Sequence, residues 1–307
     1  MTNVPLLDRM AFATTMLPEQ VRAIIRSAPL RYKKFLIPKK NGGSRRVAQP
    51  AREVKLLQYF ILAEISSILP IHAAAFAYRE GLSIRGNAQT HLDSRYLLKM
   101  DFERFFPSIK RKDVALHLQN FCRDHYSDEE IGLICNIVLW APERSKPLEL
   151  CIGAPSSPLI SNSIMFEFDN IIANVLNHRS VNYTRYADDL TFSSRSRDQL
   201  VDVEDLVKNA LQSLTYPSIK VNSKKTVHCS MATRREVTGI VLTPEHKLSV
   251  GRDRKRLARS MYYRAQREEL DSEAMQKLNG LLAFIESVEP GFSARLSESY
   301  RRSLNGG

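Results

Sequence analysis

Apolar residues recur at helical spacing within residues 1–30 (Met16, Val21, Ile24, Ile25), then give way to KKFLIPKKNGGSRRVAQP over 33–50. Two short apolar segments there flank Asn41-Gly42-Gly43, a combination that favours positive φ and predicts a β-hairpin. The hairpin would carry Lys39, Lys40, Arg45 and Arg46. Helical spacing returns from Arg52 to Leu69 (Val54, Leu57, Ile61, Ile65, Ile68) until Pro70 stops it. RYLLKMDFERFF (95–106) reads as a strand leading to a turn at Pro107-Ser108, with Asp101 directly after the apolar run. Helices are predicted near 111–123 and 128–140, and one long helix from Pro158 to His178 after a Gly/Pro/Ser turn. VNYTRYADDLTFSS (181–194) is two β-rich stretches around Ala187-Asp188-Asp189, hence a hairpin with acids at its tip. A helix near 198–214 and strands near 219–228 and 236–243 complete the pattern.

Composition narrows the class. The 307 residues are 43% apolar and 25% charged, ordinary for a globular chain and against disorder or collagen. That length suits two or three folding units. The four cysteines (Cys122, Cys135, Cys151, Cys229) form no CxxC pair, so buried reduced thiols are expected rather than a zinc ribbon or disulfide scaffold. MTNVPLLDRM lacks a basic-then-apolar signal pattern, and no apolar run reaches a membrane span; the expectation is a cytoplasmic chain without a membrane partner. Forty-five Lys+Arg against thirty-three Asp+Glu leave a net charge of +12, which attracts polyanions, nucleic acid first among them. The charge is concentrated at 251–267, where Arg252, Arg254, Lys255, Arg256, Arg259, Arg264 and Arg267 face one acid, Asp253, with Tyr262 and Tyr263 among them. Such a helix offers a cationic face with rings for stacking; a merely solvated face is the plainer alternative.

The acids carry the candidate chemistry. Two adjacent aspartates in a turn between apolar strands repel each other unless a cation offsets them. Asp101, Asp188 and Asp189 together offer hard oxygen donors of the kind Mg²⁺ takes, and two such ions can clamp the attacking and leaving oxygens of an in-line phosphoryl transfer. The basic hairpin would then neutralise a triphosphate.

At this point the residues resemble a known family. Tyr186-Ala187-Asp188-Asp189 resembles the YxDD box of reverse transcriptases, and the likeness runs in order from about 30 to 250. IPKKNGGSRRVAQP resembles the fingers motif, AFAYREGLSIRGNAQTH the segment after it, and LKMDFERFFPSI the first acid motif. GAPSSPLISN resembles the template-gripping turn and helix, VNSKKT the lysine motif and VTGIVL the primer grip. Asn87-Ala88-Gln89-Thr90-His91 and Val237-Thr238-Gly239 resemble the NAxxH and VTG signatures of bacterial retron reverse transcriptases. Group II intron-like and diversity-generating relatives, and a retired RNA-binding protein, are the alternatives.

The resemblance implies an α+β right hand: fingers over 1–98 (with part of 111–150), an antiparallel-sheet palm over 99–247, and a basic helical thumb over 248–307. It implies Asp101, Asp188 and Asp189 as catalytic carboxylates holding two Mg²⁺ ions, with the Phe102 carbonyl as a further ligand. Lys39 and Arg45, or Arg46 since the register is ambiguous by one, would hold the incoming dNTP, supported by Lys225. Phe106 would exclude a ribose 2′-OH, unless it is simply a core ring. Gly153, Ala154, Pro155 and Ser156, together with Tyr186 and Val237, Thr238 and Gly239, would contact template and primer. Asn87, His91 and the basic helix (Arg252, Arg254, Lys255, Arg256, Arg259, Tyr262, Tyr263) would contact RNA, His91 otherwise being a core histidine. Where the family often has Gln before the turn glycine, this chain has Ile152, and Ser156 stands where Thr is frequent. Expected partners are a dedicated non-coding RNA (msr-msd) as template and primer, the branched msDNA product, dNTPs, an accessory effector in anti-phage defence, and a host RNase H, since no such domain fits in the chain.

Overall fold

A computed structural model describes residues 4–38 and 42–305. Residues 39–41, and with them Lys39, Lys40 and Asn41 of the expected hairpin turn, lie outside the described residues. The N-terminal segment makes helices α1 (Leu6–Thr14) and α2 (Pro18–Ser27), divided at Thr15, which takes a left-handed φ of 54°. Strands β1 (Tyr32–Pro38) and β2 (Ser44–Pro50) pair antiparallel as a two-stranded ribbon, Ile37 opposite Arg45 and Leu36 opposite Arg46. Helix α3 (Arg52–Ile65) buries Val54, Leu57, Ile61 and Ile65, the apolar stripe visible in the sequence. A short helix α4 (Ile84–Thr90) follows, capped by the Ser83 hydroxyl accepting from the Gly86 N–H at 3.0 Å.

The central sheet is built from β3 (Tyr96–Asp101), β4 (Asn182–Tyr186), β5 (Asp189–Ser194) and β6 (Val227–Ser230), all antiparallel, in the order β4-β5-β3-β6. Helices α5 (Phe105–Ser108), α6 (Arg111–Cys122), α7 (Asp128–Val138), α8 (Ser157–Ile164), α9 (Phe166–Leu176) and α10 (Val203–Ser213) accompany it. The expected helix from Pro158 to His178 is two helices, because Met165 leaves helical geometry (φ −84°, ψ 4°). A second sheet joins β7 (Arg235–Val237), β8 (Ile240–Leu242) and β9 (Leu248–Ser249) in sequence order. The single strand expected at 236–243 is therefore a hairpin. Thr238 and Gly239 form its turn, both at positive φ (47° and 82°), the geometry whose twist matches paired strands. The strand expected at 219–228 is shorter too: a 3₁₀ turn, Ser223–Lys225, precedes β6. The chain ends in α11 (Arg252–Ala265), α12 (Ser272–Val288) and α13 (Phe292–Asn305).

Two large apolar cores form among the described residues, beside a small cluster of Ala48, Trp140, Cys151 and Ala154. The larger runs from α1–α3 through α6–α9 to the central sheet, and includes Phe102, Phe105 and Phe106. The second joins α4 and the β7–β9 sheet to the C-terminal helices, through Ala88, Val237, Ile240, Ala258 and Ile285. The four cysteines are free thiols, three of them buried. No helix among the described residues is long and apolar enough to cross a membrane.

Candidate active site

Strand pairing brings the acids together. Asp101, last in β3, lies directly opposite Asp189, first in β5, and residues so paired stand about 4.5–5.5 Å apart at Cα. Asp188 occupies the turn between β4 and β5, where its carbonyl accepts from the Phe102 N–H at 3.1 Å. Asp101 is buried, Asp188 half-buried, and Asp189 open to solvent on one side and walled in on the others. Burial, then the Asp101 charge, raises the Asp188 pKa, against the pull of Lys225 and Arg45. Burial, then Asp188 and Asp101, pushes Asp189 up to about 6.

The cation already present is Lys225, whose Nζ lies 2.7 Å from Asp101 Oδ2. Burial alone would lower its pKa, but the hydrogen bond and charge of Asp101, with Asp188 and Asp189 behind it, raise it. As they stand, no three acid, histidine or cysteine side chains among the described residues form a group able to hold a metal ion. The donor set nevertheless suits a hard cation. It consists of carboxylate oxygens on paired strands, two of the three carboxyls carry repulsion that one lysine does not relieve, and Lys225 is exposed enough to turn away.

The turn that presents these acids is strained and clamped. Ala187 takes φ 57°, a left-handed geometry that costs a non-glycine residue about 1–2 kcal/mol. Its carbonyl accepts from Arg185 Nη1 at 3.2 Å. Arg185 is fully buried and paired with fully buried Asp169, Nη2 to Oδ2 at 2.6 Å. Asn162 Oδ1 accepts from Arg185 at 3.1 Å, and the Tyr183 hydroxyl donates to Asp169 at 2.7 Å. The break at Met165 divides this network, with Asn162 on α8 and Asp169 on α9. Sequence reading passed over Arg185, although an arginine within an apolar strand directly before the acid box was a signal that a buried partner existed.

The second expected motif is positioned by a glycine. Gly153 takes φ 113°, and a Cβ there would stand 2.8 Å from the Ala48 carbonyl oxygen and 2.9 Å from Val47 Cγ1. The close approach docks β2 on the turn, and the Ala48 N–H donates to the Ile152 carbonyl at 2.8 Å. Arg45 and Arg46 diverge from this base: the charge of Arg45 is felt by Asp188 and Tyr78, that of Arg46 by Glu143. Beside the turn lies a cavity of about 330 Å³ lined by Gly153, Ala154, Pro155, Phe106, Tyr78 and Tyr59 among others. Phe106 thus packs in the core against Phe105 and also shows an edge to this cavity. Ser156 is fully buried and its hydroxyl has no hydrogen-bond partner. Tyr186 is half-buried, its ring 6.5 Å from that of Tyr78. Burial, then Asp188, raises the Tyr78 pKa, which keeps the phenol protonated.

The residues expected to contact RNA differ in their surroundings. His91 is fully buried, its two ring nitrogens bonded to Ser193 Oγ (2.7 Å) and Thr184 Oγ1 (2.8 Å). It ties α4 to the central sheet, the core-histidine alternative. Asn87 is likewise buried. On α11, Arg254 donates to the Gly239 carbonyl at 2.7 Å and lies over the Phe284 ring. Lys255 pairs with Glu289 at 3.1 Å. Tyr262 and Tyr263 pack on Tyr300 rather than standing clear as stacking platforms. Arg252, Arg256 and Arg259 remain exposed. Val237 is a core residue of the β7–β8 hairpin, while Thr238 and Gly239 form its half-buried turn.

Comparison with known proteins gives the family. The family model described as "Reverse transcriptase (RNA-dependent DNA polymerase)" matches residues 37–246. The retron Ec83 reverse transcriptase of Escherichia coli is 38% identical over 283 residues, 91% of this chain and 90% of that protein. The retron Ec73 and Ec86 reverse transcriptases of the same organism are each 30% identical, covering 94% and 97% of this chain and 93% and 87% of their own lengths. Among solved structures, a telomerase from Candida albicans, in complex with a TWJ fragment of telomeric RNA, aligns with a TM-score of 0.51 at 11% identity. That alignment covers 87% of this chain and 56% of the telomerase chain, a likeness of fold alone.

Proposed function

This chain belongs to the reverse transcriptases, RNA-directed DNA polymerases, and within them to the bacterial retron group; from that premise we propose that Asp101, Asp188 and Asp189 are its catalytic carboxylates. The observation that carries the assignment is the Asp101–Asp189 strand pair with Asp188 at the adjoining turn. Two Mg²⁺ ions held by these carboxylates and the Phe102 carbonyl would supply Lewis acidity to the attacking hydroxyl and charge relief to the departing pyrophosphate. The remaining work falls to the protein. Arg45, on the side of the hairpin whose charge reaches Asp188, faces the triphosphate; Arg46 points elsewhere, and Lys39 belongs to the same grip. Lys225, paired with Asp101 and exposed enough to turn, would serve as a cationic support for the triphosphate. The Phe106 edge leaves no room for a ribose 2′-OH. The Gly153–Ser156 turn underlies the templating base, the Val237–Gly239 hairpin borders the primer, and Tyr186 lies against the template–primer duplex.

The template is proposed to be a dedicated structured RNA that also primes synthesis from a guanosine 2′-OH, giving a branched msDNA. Exposed Arg252, Arg256 and Arg259 would hold a stem of that RNA by its backbone. Template removal by a host RNase H, an accessory effector, a role in anti-phage defence and a cytoplasmic location complete the reading. Primer extension with Mg²⁺ tests the core of it. Asp188→Asn keeps shape and removes a charge, so extension should fall by at least about a hundredfold, as expected when charge at a metal-assisted phosphoryl centre is lost. Retained synthesis by the variant refutes the assignment.

A further inference from the structure

Tyr78 has a left-handed φ of 61°, which a bulky residue takes only where its surroundings impose it. Those surroundings can be identified. The Phe76 N–H donates to the Arg185 carbonyl at 2.8 Å, and the Asn162 amide donates to the Ala77 carbonyl at 2.8 Å. The two residues that clamp the acid turn therefore also hold the backbone on which Tyr78 is mounted. Burial does not compensate the strain, because Tyr78 is 54% exposed. Its ring instead stands 6.5 Å from Tyr186 and lines the cavity beside the Gly153 turn.

We infer that Tyr78 reads the template strand: its ring lies against the sugar of a template nucleotide beside the base being copied, and its hydroxyl bonds the ribose 2′-OH, so that RNA is favoured over DNA as template. This rests on the polymerase reading above. Three observations place it on the template side. The bridge between Ala75 and Arg185 sets this segment outside β4, the sheet edge farthest from β6 and the adjoining Lys225. The cavity wall runs from Phe106, on the side assigned to the incoming nucleotide, through the turn assigned to the templating base to Lys55 and Tyr59 of α3, and Tyr78 lines it with the latter two. Ile152 lines the same cavity and can offer no side-chain hydrogen bond, so a sugar hydroxyl must find its partner elsewhere, and Tyr78 carries one. An A-form hybrid displays its 2′-hydroxyls along a wide, shallow minor groove, where an exposed phenol is a suitable partner.

The test compares one primer annealed to RNA and to DNA of the same sequence, with the full-length protein. Tyr78→Phe removes only the hydroxyl and should lower the RNA-over-DNA ratio of kcat/KM about fivefold, the weight of one neutral hydrogen bond. Tyr78→Ala should lower extension on both templates and shift the ratio the same way. Equilibrium binding of the two duplexes, followed by fluorescence anisotropy, should shift likewise and reads the contact independently of catalysis. An unchanged ratio with Tyr78→Phe in both measurements overturns the inference. So does a changed preference between dNTP and rNTP without a change in template preference, which would move Tyr78 to the incoming nucleotide. Wild-type protein that binds both duplexes but extends neither would instead bring down the polymerase reading, while the binding ratio still decides Tyr78.

Discussion

Breaking the Arg185–Asp169 pair separates what the network contributes to stability from what it contributes to the site. Both side chains are fully buried, with their charged atoms 2.6 Å apart. Arg185→Met leaves an ionised Asp169 without its partner inside the protein, which costs about 3–5 kcal/mol. That is a large share of the ~5–15 kcal/mol that holds an ordinary domain together. Adding Asp169→Leu removes the stranded charge and should restore most of the loss. The Tyr183 hydroxyl then lacks its acceptor and Asn162 Oδ1 its donor, a residual deficit of about 1–3 kcal/mol. Activity should not follow stability. In the double variant the Ala187 carbonyl has lost its donor, and the turn can relax from its strained φ of 57°. A displacement of the acids by ~1 Å is worth about a hundredfold in rate. Urea denaturation gives the two stabilities, and single-turnover extension at saturating dNTP gives the rate. A double variant that regains both stability and the wild-type rate would show that the pair only fills the core, and the positioning argument would fail.

Other substitutions test other joints. Gly153→Ala should force β2 away from the turn, because the new Cβ would meet the Ala48 carbonyl oxygen at 2.8 Å; a KM for dNTP raised about tenfold with kcat little altered is expected, roughly the weight of one displaced charged contact, and wild-type kinetics would contradict it. Burial lowers the His91 pKa to about 3, so its neutral form stabilises the fold above the unfolded value of about 6.5, and that contribution is lost as pH falls from there toward 3. Between pH 6.5 and 5 the loss is about 1.6 kcal/mol; His91→Gln should remove that part of the fall in the denaturation midpoint, while His117, lowered to about 4 by burial, keeps a slope of the same sign and Asp189, raised to about 6, one of the opposite sign. An unaltered pH slope would refute the assignment. Reversing Arg252, Arg256 and Arg259 to Glu should weaken binding of the proposed structured RNA and reduce the salt slope by about two to three units; an effect confined to the rate of nucleotide addition would remove this helix from RNA recognition.

What could be read from the sequence was local. The acid hairpin, the strand ending at Asp101 and the stripe of α3 each follow from a period of two or 3.6 within one segment, and the order of motifs carried the family. What escaped was pairing across distance or a break inside a continuous pattern. Nothing apolar marks Met165, so α8 and α9 read as one helix. The two glycines at 42–43 signalled their hairpin, but Thr238-Gly239, also a turn with positive φ, was absorbed into a single strand. Charge in the 251–267 run gave the helix but not its orientation: Arg254 and Lys255 face inward to Gly239 and Glu289, which only the packing of α11 on its neighbours decides. The Arg185–Asp169 pair joins a strand to a helix, and no period reports such a contact.

The two signature segments, far apart in the chain, prove to be one joint. Thr238 Oγ1 donates to the Ile84 carbonyl at 3.4 Å, so the VTG turn rests on the start of α4. His91, just past the end of α4, is bonded to Thr184 of β4 and Ser193 of β5, the strands that flank the acids. On the far side Arg254 of α11 holds the Gly239 carbonyl. A continuous chain of hydrogen bonds therefore runs from the basic helix, through the turn and α4, into the strands that present Asp188 and Asp189. Ala88 and Val237 fill the apolar space along it, which removes the slack a polar contact alone would leave. An RNA stem gripped by the exposed arginines of α11 would thus be held at a fixed distance from the carboxylates. If synthesis starts at one chosen nucleotide of a folded RNA, as proposed above, it requires such a fixed distance, and buried His91, Ala88 and Val237 would serve by holding that distance.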